Sequence, residues 1–217
     1  AQAAEIFLNI AKEIKTKCGL KFDFIDFGGG LGVPYKPEEK ELNINEYAET
    51  ILSIFKRKIQ ELDSEPFFAI EPGRYIVCDA GVLLTKAVSI KATPTKKFIG
   101  VDAGLNVLIR PAMYNAYHHI LVVNKLNEKE LEEYDVVGPI CENADFLARK
   151  RIMPKVEEGD ILAVLNAGAY GFSMSSQYNA RPRPAEVLVN NGRVEVVRER
   201  EDFNNLLIGQ RIATWLK

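Results

Sequence analysis

The stretch FDFIDFGGG, residues 22–30, is typical of a buried strand that ends in a glycine-rich loop. Upstream of this stretch, apolar residues recur at helical spacing over residues 6–14. Downstream, an amphipathic pattern over residues 46–62 predicts a helix, and the apolar run at residues 67–70 predicts a second strand. Because helices and strands alternate in this order, we predict parallel βα units in the first part of the chain.

The pattern changes from about Gly81 onward. Short apolar runs, separated by glycine and proline turns, now predict β-strands rather than helices. These runs cover residues 82–90, 98–101, 120–123, 161–165, 187–189 and 194–197. Asn191-Gly192 lies between the last two runs and is typical of a hairpin turn. We therefore predict two parts, an α/β portion over residues 1–80 and an all-β domain over residues 81–217.

The composition is that of an ordinary globular protein and argues against several functional classes. Of 217 residues, 47% are hydrophobic and 27% are charged. The 28 basic and 30 acidic residues give a net charge of −2 without a basic cluster, which argues against nucleic acid or membrane as a partner. Three widely spaced cysteines fit neither a disulfide framework nor a zinc site, so we expect a cytoplasmic protein. We also expect no metal at His118-His119, since adjacent histidines point apart in most backbones.

Five short motifs follow one another along the chain. They are DFGGGLGVPY at residues 26–35, EPGR at 71–74, RPAMY at 110–114, GPICE at 138–142 and NAGAYGFSMSSQY at 166–178. This ordered set resembles the diaminopimelate decarboxylases, pyridoxal-phosphate enzymes of lysine biosynthesis, from about Phe22 to the C-terminus. The resemblance implies a (β/α)8 barrel followed by a C-terminal β-domain. Because a complete barrel takes about 250 residues, we expect this chain to be a C-terminal portion that holds only the last βα units of an incomplete barrel.

The first two motifs carry the candidate cofactor residues. Gly28, Gly29 and Gly30 follow a strand and precede a helix, and such a loop can present backbone N–H groups to a phosphate, although the motif is weak alone. Glu71 and Arg74 could instead form a structural ion pair at a turn. The resemblance implies that the three glycines and Arg74 bind the phosphate of pyridoxal 5'-phosphate and that Glu71 contacts the pyridine nitrogen. It also implies a substrate contact for Arg74.

The later motifs carry the candidate substrate residues. The planar guanidinium of Arg110 suits a carboxylate, although Arg110 alone could be a surface arginine. Cys141 alone could be a small buried hydrophobe. The resemblance implies that Arg110, Tyr114 and Glu142 bind the distal end of the substrate and that Cys141 is the catalytic proton donor. It further implies a homodimer whose active site is shared across the interface, with Cys141 and Glu142 reaching the partner.

Two local features leave alternatives open. Tyr170 could be a core aromatic, whereas the resemblance implies that it contacts both the cofactor phosphate and the substrate. After Glu142 the family usually continues Ser-Gly-Asp, and here the chain reads Asn143-Ala144-Asp145. The loss of that glycine removes a permissive φ, so the geometry of this loop is a question for the structure.

The lysine that holds the cofactor as a Schiff base in this family has no counterpart in the chain. We therefore expect the full-length parent to decarboxylate meso-2,6-diaminopimelate to L-lysine and CO2, and this chain alone to be inactive. One alternative is another decarboxylase of the same fold, acting on ornithine, arginine or carboxynorspermidine. Arg110 and the Cys141-Glu142 pair argue against it. A second alternative is a non-catalytic, decarboxylase-like binding protein, which would have no need of Glu71 or Tyr170.

Overall fold

The computed structural model describes residues 1–62 and 64–216, which fold as two compact units. The first unit is Ala1–Cys78, and the second begins at Asp79 and contains the rest of the described chain. Among the described residues, none of the helices combines the length and the apolar character needed to span a bilayer.

The first unit pairs two short strands in parallel. Its elements are α1 (Gln2–Cys18), β1 (Phe24–Asp26), α2 (Ile44–Ile59), β2 (Phe67–Ala69) and the short helix α3 (Gly73–Val77). A 3₁₀ turn at Gln60–Leu62 extends α2. β1 and β2 run parallel with Ile25 opposite Phe68, as the alternation of helices and strands predicts. The described residues of this unit form two parallel strands and not a closed barrel.

Helix ends and an apolar cluster define the packing of the first unit. Gly19 ends α1 in the left-handed region at φ 68°, and Asn43 caps α2 by accepting a hydrogen bond from the Glu46 N–H at 3.2 Å. The two helices and β1 share one hydrophobic core. Its buried members are Ala4, Leu8, Ala11, Ile25, Ile51, Ile54, Phe55 and Leu62. This core holds the ends of β1 and β2 side by side, which is where the glycine loop and the EPGR motif begin.

The second unit is dominated by a mixed β-sheet. Its elements are β3 (Leu83–Ala92), β4 (Lys97–Val101), α4 (Arg110–Tyr114), β5 (Ile120–Val122), β6 (Leu131–Val137), β7 (Phe146–Pro154), β8 (Ile161–Val164), β9 (Glu186–Asn190) and β10 (Arg193–Arg198). Six strands pair in the order β5-β8-β3-β4-β6-β7, with β4 and β6 parallel and the other pairs antiparallel. The outer strands β5 and β7 also lie near each other, so the sheet is nearly closed.

The interior of this sheet is apolar, and short turns follow the strands. The buried cluster comprises Ala87, Ile99, Val101, Leu108, Ile120, Val122, Tyr134, Val136, Leu147, Ala148, Met153, Val156, Leu162 and Val164. The 3₁₀ turns are Val123–Lys125, Phe172–Met174, Tyr178–Ala180, Asn205–Leu207 and Thr214–Leu216.

The hairpin β9–β10 confirms the prediction made from its turn. Asn191 and Gly192 both have positive φ, 49° and 77°. Two residues with positive φ match the right-handed twist of the flanking strands, which is why Asn-Gly is favoured there.

The apolar-run pattern does not predict β6 or β7, and their sequences explain the failure. β6 contains three acidic residues among its seven, and β7 contains the charged triplet at residues 149–151. The pairing of β6 with β7 also shifts register between Tyr134 and Val136, so the period of two is interrupted. A polar strand with a bulge has no continuous apolar run to detect.

Candidate functional site

The glycine loop after β1 packs tightly against the backbone at the end of β2. Asp26 Oδ1 accepts a hydrogen bond from the Gly28 N–H at 2.8 Å, and the Gly28 carbonyl accepts one from the Glu71 N–H at 2.9 Å. A Cβ on Gly29 would lie 2.6 Å from the Glu71 carbonyl oxygen. Because that oxygen belongs to the backbone and cannot swing away, position 29 requires glycine.

The same loop leaves backbone donors available for a ligand. Gly28 and Gly30 adopt φ values of 70° and 88°, a region that favours glycine. Within the described part of the chain, the N–H groups of Gly29 and Gly30 are bonded to no acceptor. Consecutive free amides in such a turn form a concave anion site, so the loop fits a phosphate group such as that of pyridoxal phosphate.

Glu71 and Arg74 lie just beyond this loop. Glu71 is exposed at the end of β2, and Arg74 is half-buried in α3. No ion pair joins the two side chains in the described structure. The alternative interpretation as a structural ion pair therefore has no support in the geometry, and both charges are available to a ligand.

Arg110 is a buried cation of the second unit. It begins α4, and only 8% of its surface is exposed. Its Nη1 lies 3.0 Å from Nε2 of His118, and its Cζ lies 5.9 Å from the centroid of the Tyr170 ring, within cation–π range. The interpretation of Arg110 as a surface arginine is therefore wrong.

His118, the partner of Arg110, is completely buried. Its Nδ1 lies 2.9 Å from the Leu165 carbonyl oxygen, just beyond the end of β8. Burial lowers the pKa of His118 from its ordinary value of 6.5. The hydrogen bond to Leu165 opposes this effect, and the charges of Arg110 and Arg151 lower the pKa further. The imidazole is therefore held in its neutral form at neutral pH.

The small residues of the 166–178 segment bring backbone against backbone. A Cβ on Gly81 would lie 2.3 Å from the Gly168 Cα, and the Ala167 N–H donates to the Gly81 carbonyl at 2.8 Å. The backbone of Gly168 therefore packs directly against the backbone of Gly81. Tyr170 is partly exposed at φ 59°, with one ring face towards Arg110, so it is not a core aromatic.

The loop at residues 138–145 presents Cys141 and Glu142. Both side chains are exposed, and so is Tyr114 on α4. The interpretation of Cys141 as a small buried hydrophobe is therefore wrong. The Cys141 Sγ lies 3.5 Å from Nδ2 of Asn179, and Glu142 Oε1 accepts from the Asn143 N–H at 3.0 Å. Ala144 is not among the residues with positive φ, so alanine at this position costs no backbone strain.

The buried side chain of Asp145 fixes the conformation of this loop through hydrogen bonds to the backbone. Its carboxylate is buried and accepts two backbone hydrogen bonds, from the Leu105 N–H and the Ile140 N–H, each at 2.6 Å. Gly104 and Gly138 are so close to it that a Cβ on either would come within 2.7 Å of a carboxylate oxygen. The carboxylate thus joins the turn that precedes α4 to the loop that carries Cys141.

Sequence reasoning missed the roles of His118 and Asp145. His118 is considered there only as a possible metal ligand, and that role is rejected. Nothing in the sequence reveals its partner 47 residues away. For Asp145 a weak signal existed, since an aspartate near a Gly-Pro turn commonly bonds to backbone amides. The structure brings Arg110 and Tyr170 together in the second unit, and Gly28 and Glu71 together in the first.

Comparison with known proteins identifies the family. Residues 26–168 match the family described as pyridoxal-dependent decarboxylase, C-terminal sheet domain. The chain is 54% identical over 215 residues to a diaminopimelate decarboxylase of Methanothermobacter thermautotrophicus, covering 99% of this chain and 50% of that protein. It is 49% identical over 213 residues to one of Archaeoglobus fulgidus, covering 96% and 49%.

Solved structures agree with these matches. The diaminopimelate decarboxylase of Methanocaldococcus jannaschii, solved in complex with L-lysine, superposes with a TM-score of 0.88 at 36% identity, covering 99% of this chain and 49% of that one. The chain thus spans about half the length of the curated relatives it matches. On the sequence match, the identities and the shared fold together, the chain belongs to the pyridoxal-dependent decarboxylase family.

Proposed function

We propose that the whole protein containing this chain converts meso-2,6-diaminopimelate to L-lysine and CO2 with pyridoxal 5'-phosphate as its cofactor. The observation that carries this proposal is 54% identity to a diaminopimelate decarboxylase over 99% of the chain. A structural relative was solved with L-lysine, the product of that reaction. In the proposal, residues 1–80 are the last βα units of a (β/α)8 barrel and residues 81–217 are the C-terminal β-domain.

The first unit supplies the cofactor residues in this proposal. The loop Gly28-Gly29-Gly30 would hold the phosphate, with the N–H groups of Gly29 and Gly30 as its donors, and the Arg74 guanidinium would add charge to the same group. The Glu71 carboxylate would accept a hydrogen bond from the pyridine nitrogen and so favour its protonated form. When bound, the cofactor supplies the electron sink that accepts the electron pair released as the carboxylate departs.

The second unit supplies the substrate residues. The distal end of diaminopimelate is an amino-acid head, with a carboxylate and an ammonium group. Ornithine and arginine have no carboxylate at that end. Arg110 would bind the distal carboxylate, with Tyr114 beside it, and Glu142 would bind the distal ammonium. Because Arg110 is buried, its attraction for a carboxylate is less screened than at the surface.

Two further residues complete the proposed chemistry. Cys141 would donate the proton that replaces the departing carboxylate at the α-carbon, and Tyr170 would contact the cofactor phosphate and the substrate. We further propose a homodimer in which Cys141 and Glu142 reach the partner's barrel, and their exposure leaves both side chains accessible to a second subunit. The three cysteines are widely spaced in the sequence, which suits a reducing compartment such as the cytoplasm.

The decisive experiment is a substrate profile of the purified whole protein loaded with pyridoxal phosphate. We expect CO2 release with diaminopimelate, accompanied by L-lysine, and none with ornithine, arginine or carboxynorspermidine. Release from one of those instead would show a different decarboxylase of the same fold. No release from any of them would favour a non-catalytic binding protein.

A variant tests the substrate assignment within the same assay. Arg110→Ala should lower kcat/KM for diaminopimelate by about 2–5 kcal/mol in transition-state free energy, the cost of removing one partner of a desolvated charge pair. Arg149→Ala is the matched control, because Arg149 is exposed and lies 3.7 Å over the Phe146 ring without an assigned role. Equal effects of the two substitutions would refute the assignment of Arg110.

A further inference from the structure

The hydrogen bonds of His118 fix which of its two ring nitrogens carries the proton. A carbonyl oxygen can only accept, so the contact with Leu165 places the hydrogen on Nδ1. Nε2 then carries a lone pair, and it faces Nη1 of Arg110, which can only donate. The neutral imidazole satisfies both contacts. An imidazolium could still donate to Leu165, but it would have no lone pair on Nε2 to accept from Arg110.

The far end of this chain of contacts is rigid. Leu165 directly follows β8, and its N–H donates to the His119 carbonyl at 2.8 Å. β8 pairs with β5, whose first residue Ile120 lies opposite Val164. The imidazole is therefore held to the sheet through Nδ1 and bonded to the Arg110 guanidinium through Nε2. The position of the sheet thus determines the direction in which Arg110 points.

A neutral acceptor has a specific consequence for a binding arginine. A carboxylate in the place of His118 would orient the guanidinium but would also compensate its charge. The imidazole orients Arg110 through one N–H of the guanidinium, which has five, and adds no negative charge. Because the imidazole is neutral, this contact does not reduce the positive charge with which Arg110 attracts an anionic group.

We propose that His118 is a positioning residue that aims the Arg110 guanidinium at the distal carboxylate of the substrate and so sets the selectivity for that end. This inference deepens the proposed function and rests on it. His118 need not touch the substrate, because its effect is transmitted through Arg110. Its removal should therefore weaken substrate binding more than it slows the chemical step.

Two substitutions separate the hydrogen bonds of His118. His118→Asn keeps a donor near the Nδ1 position but has no atom at the Nε2 position, so Arg110 loses its acceptor. His118→Gln reaches the Nε2 position with its amide oxygen and can restore that acceptor. His119→Asn is the matched control, since His119 is only half-buried and its Nδ1 bonds to the Tyr117 hydroxyl at 3.1 Å.

The assay compares kcat and KM of the whole, cofactor-loaded protein for diaminopimelate. We expect His118→Asn to raise KM about tenfold or more while kcat changes by no more than about threefold, from the loss of one hydrogen bond to a charged group. His118→Gln should return KM to within about threefold of the unsubstituted protein, and His119→Asn should leave it unchanged. A merely structural role for His118 would not produce rescue by glutamine.

Several results would overturn the inference. They are an unchanged KM in folded His118→Asn, a fall in kcat alone, or a failure of folded His118→Gln to restore KM. If His118→Asn shows no melting transition, His118→Met takes its place, since methionine fills the cavity without a strong acceptor.

Crystal structures give a readout that does not depend on turnover. The Arg110 guanidinium should leave its present position in His118→Asn and keep it in His118→Gln. If it stays in place in His118→Asn, the inference fails. If the unsubstituted protein does not turn over diaminopimelate, the proposed function fails, and the guanidinium position still decides whether His118 orients Arg110.

Discussion

Replacement of Asp145 by asparagine tests the role of a buried carboxylate that links two loops. Its two oxygens accept from the Leu105 and Ile140 amides at 2.6 Å, and the residue is only 4% exposed. Asparagine has nearly the same shape but only one acceptor oxygen. One of the two amides would therefore lose its bond and would face an NH2 group, which is also a donor.

The expected cost follows from these contacts. A hydrogen bond to a charged group is worth about 1.5–3 kcal/mol, and a buried donor left without an acceptor costs about 1–3 kcal/mol. The two ranges both include the loss of the same amide–carboxylate bond, so they are not simply added. We therefore expect Asp145→Asn to lower the free energy of unfolding by roughly 2–4 kcal/mol. The close approach of Gly104 and Gly138 leaves little room for the loops to rearrange around the new amide.

An exposed aspartate serves as the control. Asp202 also accepts two backbone amides, those of Asn204 at 2.8 Å and Asn205 at 3.2 Å, but both bond to Oδ1 and the residue is exposed. Asparagine can keep one acceptor oxygen for both amides and water can solvate its NH2 group, so Asp202→Asn should cost less than about 1 kcal/mol. Chemical denaturation of the whole protein, followed by circular dichroism, measures both variants. If Asp145→Asn is no more destabilising than Asp202→Asn, the buried carboxylate does not hold these loops together.

Two further predictions concern the glycine loop and acid stability. Gly29→Ala should weaken pyridoxal phosphate binding to the whole apoprotein about tenfold or more, because the new Cβ would lie 2.6 Å from the Glu71 carbonyl oxygen and displace the loop. Gly32→Ala is the control and should leave binding unchanged, because a Cβ there has nothing within 4 Å. Spectroscopic titration with the cofactor measures both variants. Hydrogen bonds from Arg183 and Gln177 lower the pKa of Glu201 from 4.5 to about 2. Because the folded-state pKa is depressed, the stabilisation is present above pH 4.5 and is lost as pH falls towards 2, so Glu201→Gln should lessen the dependence of unfolding free energy on pH in that window. Equal slopes for both proteins would contradict this account of Glu201.

Local sequence signals predicted the parts of the fold that depend on local chemistry. The Asn191-Gly192 turn requires two positive φ angles, and the structure has them. The parallel pairing of β1 with β2 follows from the alternation of helix and strand. β6 and β7 depend instead on pairing across a bulge, which no run of residues displays.

The contacts around the candidate site residues are long-range, and therefore the sequence could not show them. The Leu105 and Asp145 partners are 40 residues apart, and the Leu165 and His118 partners are 47 apart. The packing of Gly168 against Gly81 is likewise a contact between residues far apart in the sequence.

Two of the buried polar residues of the second unit, Asp145 and His118, explain why its three motifs occur together. Asp145 bonds the turn before α4 to the GPICE loop. His118 bonds Arg110, at the start of α4, to Leu165, and Tyr170 follows five residues later on the same segment. Buried hydrogen bonds thereby hold residues far apart in sequence to one sheet. Breaking such a bond is costly because it leaves a buried polar group without a partner. A substitution of either Asp145 or His118 should therefore displace more than one motif at once.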